Sequence, residues 1–429
     1  MLSKLTEKIK NALCICPINL KQRKFNLLLF DDIEKVPNRD WKQVVNDDVF
    51  WSASYHKALQ KGCSANVGFR YVLIYENEQP VAACYLQLID LKNLSLKAVL
   101  NPEYFERIYS KMNGMGNDYA FGKNGNASEY LVICGNLFVS GNYGISSNDD
   151  ELLGAMKKTF PKIMELIAKG LENDATIFAT VLKDFDNKQE QLFDVFQKSG
   201  FIPFEIDPDM IIPIDKQWKH FDDYLEAFSS KYRVRANSVI AKGESLTVKN
   251  FTADEIKKHA GEISVLFNAV LKNAPVRIAC NTSEYFYHLK TNLADRFSFT
   301  SFLSGGKLVA FSTAIINSHC THAHHIGLDY SANKTFALYQ NILYHYVSDA
   351  IANKSAYVNL GRDALEIKST VGAVPEHLKL FVRFSNSFTH LILESFSKLT
   401  HPREWTQRRP FREVTGQLMS DTSKSVRQL

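Results

Sequence analysis

The sequence has few cysteines, no long apolar run and none of the common hydrolase or nucleotide-binding motifs. Its seven cysteines are scattered over 429 residues, and Cys14 and Cys16 stand two apart, so neither a disulfide framework nor a CxxC site is indicated. The longest nearly apolar run, residues 308–316, is far shorter than a membrane-spanning helix. GxSxG, Walker and RNP-like patterns do not occur. Residues 1–20 also lack the apolar segment of a secretory signal, so we expect a cytoplasmic protein.

The net charge of +5 is concentrated at the two ends of the sequence. Residues 1–24 carry six basic and one acidic side chain, and residues 401–429 carry six basic and three acidic ones. The first of these segments also places leucine and isoleucine at helical spacing, at Leu2, Leu5, Ile9 and Leu13. It therefore predicts an amphipathic helix that either rests on an anionic membrane surface or partner, or packs on its own domain.

The strand and helix signals occur twice in the same order: hairpin, strand, helix, strand, helix, strand. In the first half they fall at residues 71–75, 81–89, 130–139, 146–169, 176–182, 191–198 and 201–205, with a last strand at 210–214. In the second half they fall at residues 297–303, 308–316, 321–328, 335–352, 357–360, 364–371 and 377–384. The two halves share no visible sequence identity, so the repeat is one of order alone.

These signals predict a chain with two similar domains joined by a helical connector. The expected divisions are a basic amphipathic segment at 1–24, a first domain at 25–215, a connector at 216–242, a second domain at 243–390, and a C-terminal helix with a basic tail at 391–429. The connector has helical spacing of aromatic and apolar residues between positions 221 and 228.

The order of elements, with a glycine-bearing loop between a central strand and a helix, resembles the GNAT superfamily of acyltransferases. A tandem pair of such domains resembles the FemAB-like branch. The most specific stretch is Asp329-Tyr330 before a helix, then residues 359–362, then Lys368 with Gly372 in a Lys-x-x-x-Gly segment. The resemblance implies an α/β (α+β) fold of two tandem GNAT-like domains, each a mixed, mostly antiparallel sheet flanked by helices. The coiled-coil insertion of members that use aminoacyl-tRNA is missing, which disfavours a tRNA donor.

The resemblance also implies where an acyl donor binds. The central strand and the next one splay apart, and the opened edge binds the pantetheine arm like an added strand, while pyrophosphate sits at a helix N-terminus. In the first half Gly141 and Gly144 are the candidates for this site, and an ordinary strand-to-helix turn is the alternative. In the second half the equivalent loop has no glycine, and Lys334 and Thr335 are the candidates.

Histidines crowd the third strand of the second half and supply the candidate base. Strand alternation sends His322 and His324 to one face, and His325, Gly327 and Asp329 to the other. Two histidines on one face make a poor metal site, so no metal is expected. His325 or Asp329 is the predicted general base, because that strand end borders the expected donor groove. A hydrogen-bonded histidine on a sheet face is the alternative for His325.

Five further polar residues are candidates for catalysis or substrate binding. Glu366 and Lys368 are predicted to act in catalysis, although each is equally well read as a solvated charge. Arg362 follows a glycine at a strand end and is predicted to bind an acidic group, together with Tyr330 and Arg233. A basic helix face is the alternative for Arg233 and its neighbours.

The resemblance and these residues together predict an N-acyltransferase whose second domain is catalytic. The donor is acyl-CoA or an acyl carrier protein, the acceptor is an amine such as a lipid amine or amino acid, and no metal takes part. The alternatives are a non-catalytic tandem GNAT-like binding module, or a FemAB-like transferase that draws an aminoacyl group from tRNA and acts on cell-wall precursors. The expected partners are the small-molecule or lipid substrate and, through the basic ends, an anionic membrane surface.

Overall fold

The chain folds into two compact units, each with its own sheet. The computed structural model describes residues 12–20, 23–45, 47–92, 129–147, 176–186, 190, 192–274, 283–385 and 404–412. The first unit comprises Met1–Ile206, Ala274–Asn281 and Leu378–Pro402, and the second comprises Asp207–Asn273, Thr282–His377 and Arg403–Leu429. The predicted N-terminal amphipathic helix, residues 148–169 of the predicted first-half helix, and most of the C-terminal helix and tail lie outside the described residues.

The first unit is a mixed sheet with short described helices. Its strands are β1 Cys14–Leu20, β2 Arg23–Phe30, β3 Val67–Glu76, β4 Gln79–Asp90, β5 Glu129–Cys134, β6 Ile145–Ser147, β7 Thr176–Asp186, β8 Ile202–Glu205 and, from much later in the chain, β16 Leu378–Phe384. The described helices are α1 Asn38–Val44, α2 Ala53–Gly62 and α3 Phe193–Lys198. The strand order is β1-β2-β3-β4-β5-β7-β16-β8, and β6 pairs with β4.

The second unit is a seven-stranded sheet with helices on both faces. Its strands are β9 Asp209–Pro213, β10 Thr247–Asn250, β11 Phe297–Ser304, β12 Lys307–Asn317, β13 Cys320–Leu328, β14 Tyr357–Asn359 and β15 Val374–Glu376. Its helices are α4 Phe221–Glu226, α5 Ser230–Gly243, α6 Ala253–Lys258, α7 Ala260–Leu271, α8 Ser283–Leu293, α9 Tyr330–Phe336, α10 Leu338–Ala352 and α11 Leu365–Thr370. The strand order is β10-β11-β12-β13-β14-β9-β15.

Each sheet has one parallel pair near its centre, and the other described pairs are antiparallel. The parallel pairs are β5 with β7 and β13 with β14. Each follows an antiparallel hairpin, β3–β4 in the first unit and β11–β12 in the second. A parallel pair needs a crossover connection, and in the second unit α9 and α10 provide it. The predicted hairpin, strand and parallel strand are therefore present in both units, and the crossover helices are described in the second.

Helical periodicity explains how the sheet of the second unit is covered. In α7 the buried residues Ile263, Leu266 and Phe267 stand at positions i, i+3 and i+4, which is one face of a helix. Helices α7 and α8 cover one face of the sheet, and α4, α5 and α10 cover the other. No prediction was made for α6, α7 and α8, although the site described below depends on α8.

The last strand of each predicted domain belongs to the other unit. Residues 210–214 were expected to finish the first domain, but β9 pairs with β14 and β15 in the second. Residues 377–384 were expected to finish the second domain, but β16 pairs with β7 and β8 in the first. Turn residues mark where a strand ends, whereas the sheet edge that accepts it is decided by long-range register, which local sequence does not encode.

The predicted connector at residues 216–242 is part of the second unit. Its helices α4 and α5 bury Tyr224, Phe228 and Ala236 in the same apolar cluster as α10. The second unit therefore begins at Asp207, not after a connector. The periodicity of the segment was recognised correctly, but a helix with one apolar face needs a sheet or helix to cover that face.

Candidate functional site

Strands β13 and β14 separate after three residue pairs. Cys320, Thr321 and His322 pair with Tyr357, Val358 and Asn359, and β13 then continues to Leu328 without a described strand on that side. The backbone groups of this free stretch have the spacing that an extended ligand needs to add as a further strand. In the second unit β13 therefore extends past the end of its parallel partner β14, as the predicted splay of the central strands requires.

A β-bulge in β13 lies within this separated stretch. Ser312 pairs with Ile326 and Ala314 pairs with Ala323, so that His324 and His325 together oppose the single residue between them on β12, which is Thr313. The Thr313 hydroxyl accepts a hydrogen bond from the His325 amide at 2.9 Å and donates one to the His325 carbonyl at 3.0 Å. A side chain thus replaces the ladder bonds that the bulge removes.

The bulge brings the His324 and His325 rings together, with centroids 4.2 Å apart. The prediction that alternation separates them onto opposite faces is wrong, because one extra residue in a strand breaks the period of two. Both rings lie against helix α8, where Tyr285 is within 6.0 Å of each ring centroid. The Tyr285 hydroxyl is hydrogen-bonded to His324 Nε2 at 2.8 Å.

Burial keeps this histidine pair neutral near pH 7. It lowers the pKa of His325 to about 4, and the rings of Phe267 and Phe286 pack on His325 from α7 and α8. The pKa of His324 is lowered further, first by burial and then by the neighbouring His325 and His322. A neutral imidazole carries one donor and one acceptor nitrogen, so the pair can pass a proton without holding a fixed charge.

Gly327 allows α7 to lie close to the separated stretch. A Cβ atom at this position would stand 2.1 Å from a ring carbon of Phe311 and 2.9 Å from the Cβ of Leu266 on α7. Only glycine fits such a contact without a shift of the strand or the helix. The glycine therefore fixes the distance between β13 and the aromatic side chains above it.

Asp329 caps helix α9. Its Oδ1 accepts hydrogen bonds from the amides of Ser331 at 2.9 Å and Ala332 at 3.4 Å, and the Ser331 hydroxyl and these amides lower the pKa of its carboxyl. A carboxylate at this position stabilises the first turn of a helix. This capping role accounts for Asp329 without catalysis.

The expected phosphate loop is a helix. Lys334 and Thr335 are exposed on the seven-residue α9, which also carries the exposed Tyr330. Ala337 has a left-handed backbone (φ 47°) and separates α9 from α10. The Asn333 side chain accepts the amide of Tyr339 in the first turn of α10, so part of that helix N-terminus is already satisfied.

A second polar cluster surrounds Lys368 beyond the end of β14. The Lys368 ammonium is buried and donates to the carbonyl of Gly361 at 3.2 Å and to that of Arg362. Burial lowers the pKa of Lys368 to about 8, against the opposing charges of Asp363, Asp209 and Asp207. Lys368 and Arg362, which were predicted for separate roles, are therefore brought together, but through the Arg362 backbone.

Asp209 organises this cluster and was not predicted. It is buried on β9, where its carboxylate accepts the Asn359 side-chain amide at 3.1 Å and lies 3.6 Å from Arg362 Nε. The loop after β14 has left-handed backbone at Gly361 and Asp363. This geometry costs energy at a non-glycine residue such as Asp363. No local pattern marks Asp209, because its partners lie 150 residues further along the sequence.

Two other candidates lie on the surface. The Glu366 carboxylate forms an exposed ion pair with Arg408, in which Arg408 Nε donates to Oε1 at 2.9 Å. Such pairs contribute little to stability. Arg233 lies near the start of α5, is half-buried, and stands three residues before the buried Ala236 of the same helix. The structure does not bring Glu366 or Arg233 into contact with Tyr285, His324 or His325 among the interactions of the described residues.

Among the described residues of the first unit there is no comparable opening. Its parallel pair stays together along the whole of β5, from Glu129 to Cys134. The loop that follows is tied to β7, because the Lys183 ammonium donates to the Val139 carbonyl at 2.8 Å and Asp184 accepts the Gly141 amide at 3.0 Å. The chain's own loop thus occupies the side of β7 where a cleft was expected.

Gly141 and Gly144 are explained by close packing within that loop. Gly141 has a φ of 120°, and a Cβ atom there would lie 2.8 Å from the Tyr143 ring. At Gly144 a Cβ atom would lie 2.6 Å from the sulfur of Cys134. Both contacts are made inside the unit, which favours the structural alternative over donor binding for these glycines.

No protein-family model and no curated protein matches the sequence. Among solved structures, FemX superposes with a TM-score of 0.50 at 10% identity, over 83% of this chain and 97% of FemX. The chain has the tandem GNAT-like fold. A tandem GNAT protein from the clavulanic acid biosynthesis pathway is also similar, with a TM-score of 0.42 at 8% identity over 78% of this chain and 88% of its own. L-PGS from Bacillus licheniformis has a TM-score of 0.42 at 12% identity, over 80% and 95%.

The superposition on FemX confirms the expected fold of two tandem GNAT-like domains. Two further findings bear on the other expectations. Within the described residues, no group of three or more His, Cys, Asp or Glu side chains is placed to hold a metal ion. None of the described helices is long and apolar enough to cross a bilayer.

Proposed function

We propose that the second GNAT-like unit transfers an acyl group to an amine. The observation that supports this most is the separation of β13 from β14 beside the Tyr285–His324 hydrogen bond. The free edge of β13 suits an extended donor, and the bulge sets two neutral histidines and a tyrosine hydroxyl next to it. In this proposal the first unit, whose parallel strands stay paired along β5, has a structural role and takes no part in the reaction.

The proposed reaction needs one proton removed and one supplied. As the amine nitrogen bonds to the acyl carbon, the bond from that carbon to the leaving group breaks, the nitrogen loses a proton and the leaving group gains one. In the proposal neutral His324 takes the proton from the amine on Nδ1, and the Tyr285 hydroxyl gives one to the leaving group. His324 then donates its Nε2 proton to the Tyr285 oxygen across the 2.8 Å hydrogen bond, which restores the hydroxyl and leaves the imidazole neutral as its other tautomer.

The donor is proposed to be an acyl thioester, either acyl-CoA or an acyl carrier protein. One observation favours a second candidate, an aminoacyl-tRNA. The place where a glycine loop would bind pyrophosphate is filled by α9, whose first amides are taken by Asp329, and the amide of Tyr339 is taken by Asn333. Fewer amides therefore remain to bind the pyrophosphate of CoA. The binding of a donor that has no pyrophosphate at this point is not weakened.

The experiment is to incubate the full chain with a panel of acyl-CoAs and, separately, with charged tRNAs, each with a panel of amines. Thiol release or deacylation that depends on the amine supports the corresponding donor. Binding of either donor without turnover would leave the chain as a non-catalytic module and would overturn the proposal, as would no consumption of any donor.

Tyr285→Phe tests the assignment of the site. Loss of an acid–base group typically lowers turnover about 10²–10⁴-fold, while loss of one hydrogen bond costs stability only about 1 kcal/mol. Tyr287→Phe is the matched control, because Tyr287 lies on the same helix but contacts the His288 ring and the Lys257 ammonium instead. Equal turnover for the two variants would remove Tyr285 from the mechanism.

A further inference from the structure

A concentration of positive charge on the second unit is not explained by the proposed reaction. Helix α5 carries Lys231, Arg233 and Arg235 in its first two turns and has no acidic residue. Residues 404–412 run beside its N-terminus, with the Ser229 amide donating to the Pro410 carbonyl at 2.8 Å. This contact places two further exposed arginines next to the helix. We call the five residues the basic face: Lys231, Arg233, Arg235, Arg409 and Arg412.

The position of the basic face is fixed by the packing beneath it. Phe411 forms a β-bridge with Phe228, and their ring centroids are 5.2 Å apart. The Arg412 amide donates to the Ala227 carbonyl at 3.1 Å. Gly372 has no side chain, and a Cβ atom there would stand 2.3 Å from the Phe411 ring, so residues 404–412 are seated tightly. The two segments that form the basic face therefore hold their charges together as one surface.

The charges of the basic face are not balanced locally. Among the described residues, no carboxylate forms an ion pair with Lys231, Arg233, Arg235 or Arg409. By contrast, the neighbouring Arg408 is paired with Glu366. Like charges at positions i and i+4, such as Lys231 and Arg235, destabilise a helix slightly. The arrangement lowers stability and raises the local potential, which is what a surface for an anionic partner requires.

We propose that the basic face docks the protein on an anionic membrane surface. An exposed aliphatic side chain, Val234, lies among these cations with 66% of its surface accessible. An exposed apolar side chain can enter the headgroup region while the cations around it bind anionic lipid. The Tyr232 ring on the same helix is not available for stacking, because it packs against the core and the Arg235 guanidinium lies 5.8 Å from its centroid. A nucleic acid would need such a ring to bind single-stranded bases.

The test uses the full chain and vesicles of phosphatidylcholine, alone or in a roughly two-to-one mixture with phosphatidylglycerol. Co-sedimentation is expected only with the anionic vesicles, and binding should weaken between about 50 and 200 mM salt. Each cation near such a surface contributes about fivefold to binding. Lys231→Gln with Arg235→Gln is therefore expected to weaken binding about 30-fold, and Val234→Ser should weaken it further.

Lys257→Gln with Lys258→Gln is the matched control, because it removes the same charge from α6 on the opposite face of the sheet. This control is expected to bind within about twofold of the original chain. The proposal is overturned if anionic vesicles do not bind, or if the control loses as much binding as the α5 variant. It is also overturned if an RNA duplex binds through the same residues while the vesicles do not. Failure of the acyl-transfer assays leaves this test unaffected, since vesicle binding needs no substrate.

Discussion

His56 in the first unit should make the stability of the protein depend strongly on pH. It lies on α2 with no exposed surface, among the rings of Trp41, Tyr55, Tyr71 and Tyr85 at centroid distances of 4.4 to 6.1 Å. Neither ring nitrogen has a hydrogen-bond partner among the described residues. Because no hydrogen bond compensates the protonated ring for its lost hydration, burial lowers the pKa of His56 from 6.5 to about 3.

The sign and size of the effect follow from this difference. Because the folded state holds the proton less tightly than the unfolded state does, the stabilising contribution is complete above pH 6.5 and is lost as the pH falls toward 3. Each pH unit in that window is worth about 1.4 kcal/mol. Between pH 7.5 and pH 4.5 the loss therefore amounts to about 2.7 kcal/mol, a large share of the stability of a typical domain.

The measurement is urea unfolding of the original chain and of His56→Phe at both pH values. Phenylalanine keeps an aromatic ring in place and does not titrate, and any cost of its larger ring is the same at both pH values. Tryptophan fluorescence reports on the first unit when Trp218 and Trp405, the two tryptophans of the second unit, are replaced by phenylalanine. In that background only Trp41 and Trp51 remain.

The original chain should lose about 2.7 kcal/mol more than His56→Phe on going to pH 4.5. His319→Phe serves as the control, since it removes an exposed histidine and should leave the pH dependence unchanged. If the original chain and His56→Phe lose the same stability, the buried imidazole does not resist protonation and the reasoning is refuted.

Other predictions concern the second unit. Gly327→Ala should lower the free energy of unfolding by about 1–3 kcal/mol, because the added Cβ meets the Phe311 ring. Gly261→Ala on α7 adds a Cβ that meets nothing within 4 Å, so it should raise the free energy of unfolding by about 0.5–1 kcal/mol. Chemical denaturation measures both changes. Asp329→Asn keeps a good cap, so its melting temperature should stay within about a degree, and a loss of turnover above tenfold would restore Asp329 as the base. Lys368→Met should abolish any limb of the pH–rate profile near pH 8, and a limb that persists would show that it belongs to another group.

The sequence contained enough to predict the fold class and the repeat. Strand and turn signals located both hairpins and both parallel strands, because these depend on local alternation and on Gly, Asn and Pro at the turns. The exchange of β9 and β16 between the sheets was beyond such reasoning. A strand's own sequence specifies which face is apolar, and it does not specify which of two open sheet edges it joins.

The site was predicted in part. His325 was predicted because its strand borders the expected donor groove, and Lys368 because it belongs to the Lys-x-x-x-Gly segment. The structure puts His325 beside His324 on β13, and Lys368 on α11 among the carbonyls that follow β14. The bulge that pairs His325 with His324 depends on a hydroxyl of the neighbouring strand, so alternation alone gave the wrong faces. Tyr285 was not predicted, although the apolar period of residues 283–293 indicates helix α8.

The exchange of β9 and β16 between the sheets also determines when each sheet can be completed during synthesis of the chain. The first sheet needs β16, whose Phe381 pairs with Leu182 about 200 residues earlier, so it stays incomplete until most of the chain has left the ribosome. Contacts so distant in sequence close slowly, since a long loop must be ordered before they form. Until then β7 and β8 present unpaired edges, which are sites for misassembly. A cut near residue 215 would leave each fragment with a strand that belongs to the other, so neither half is a self-sufficient folding unit.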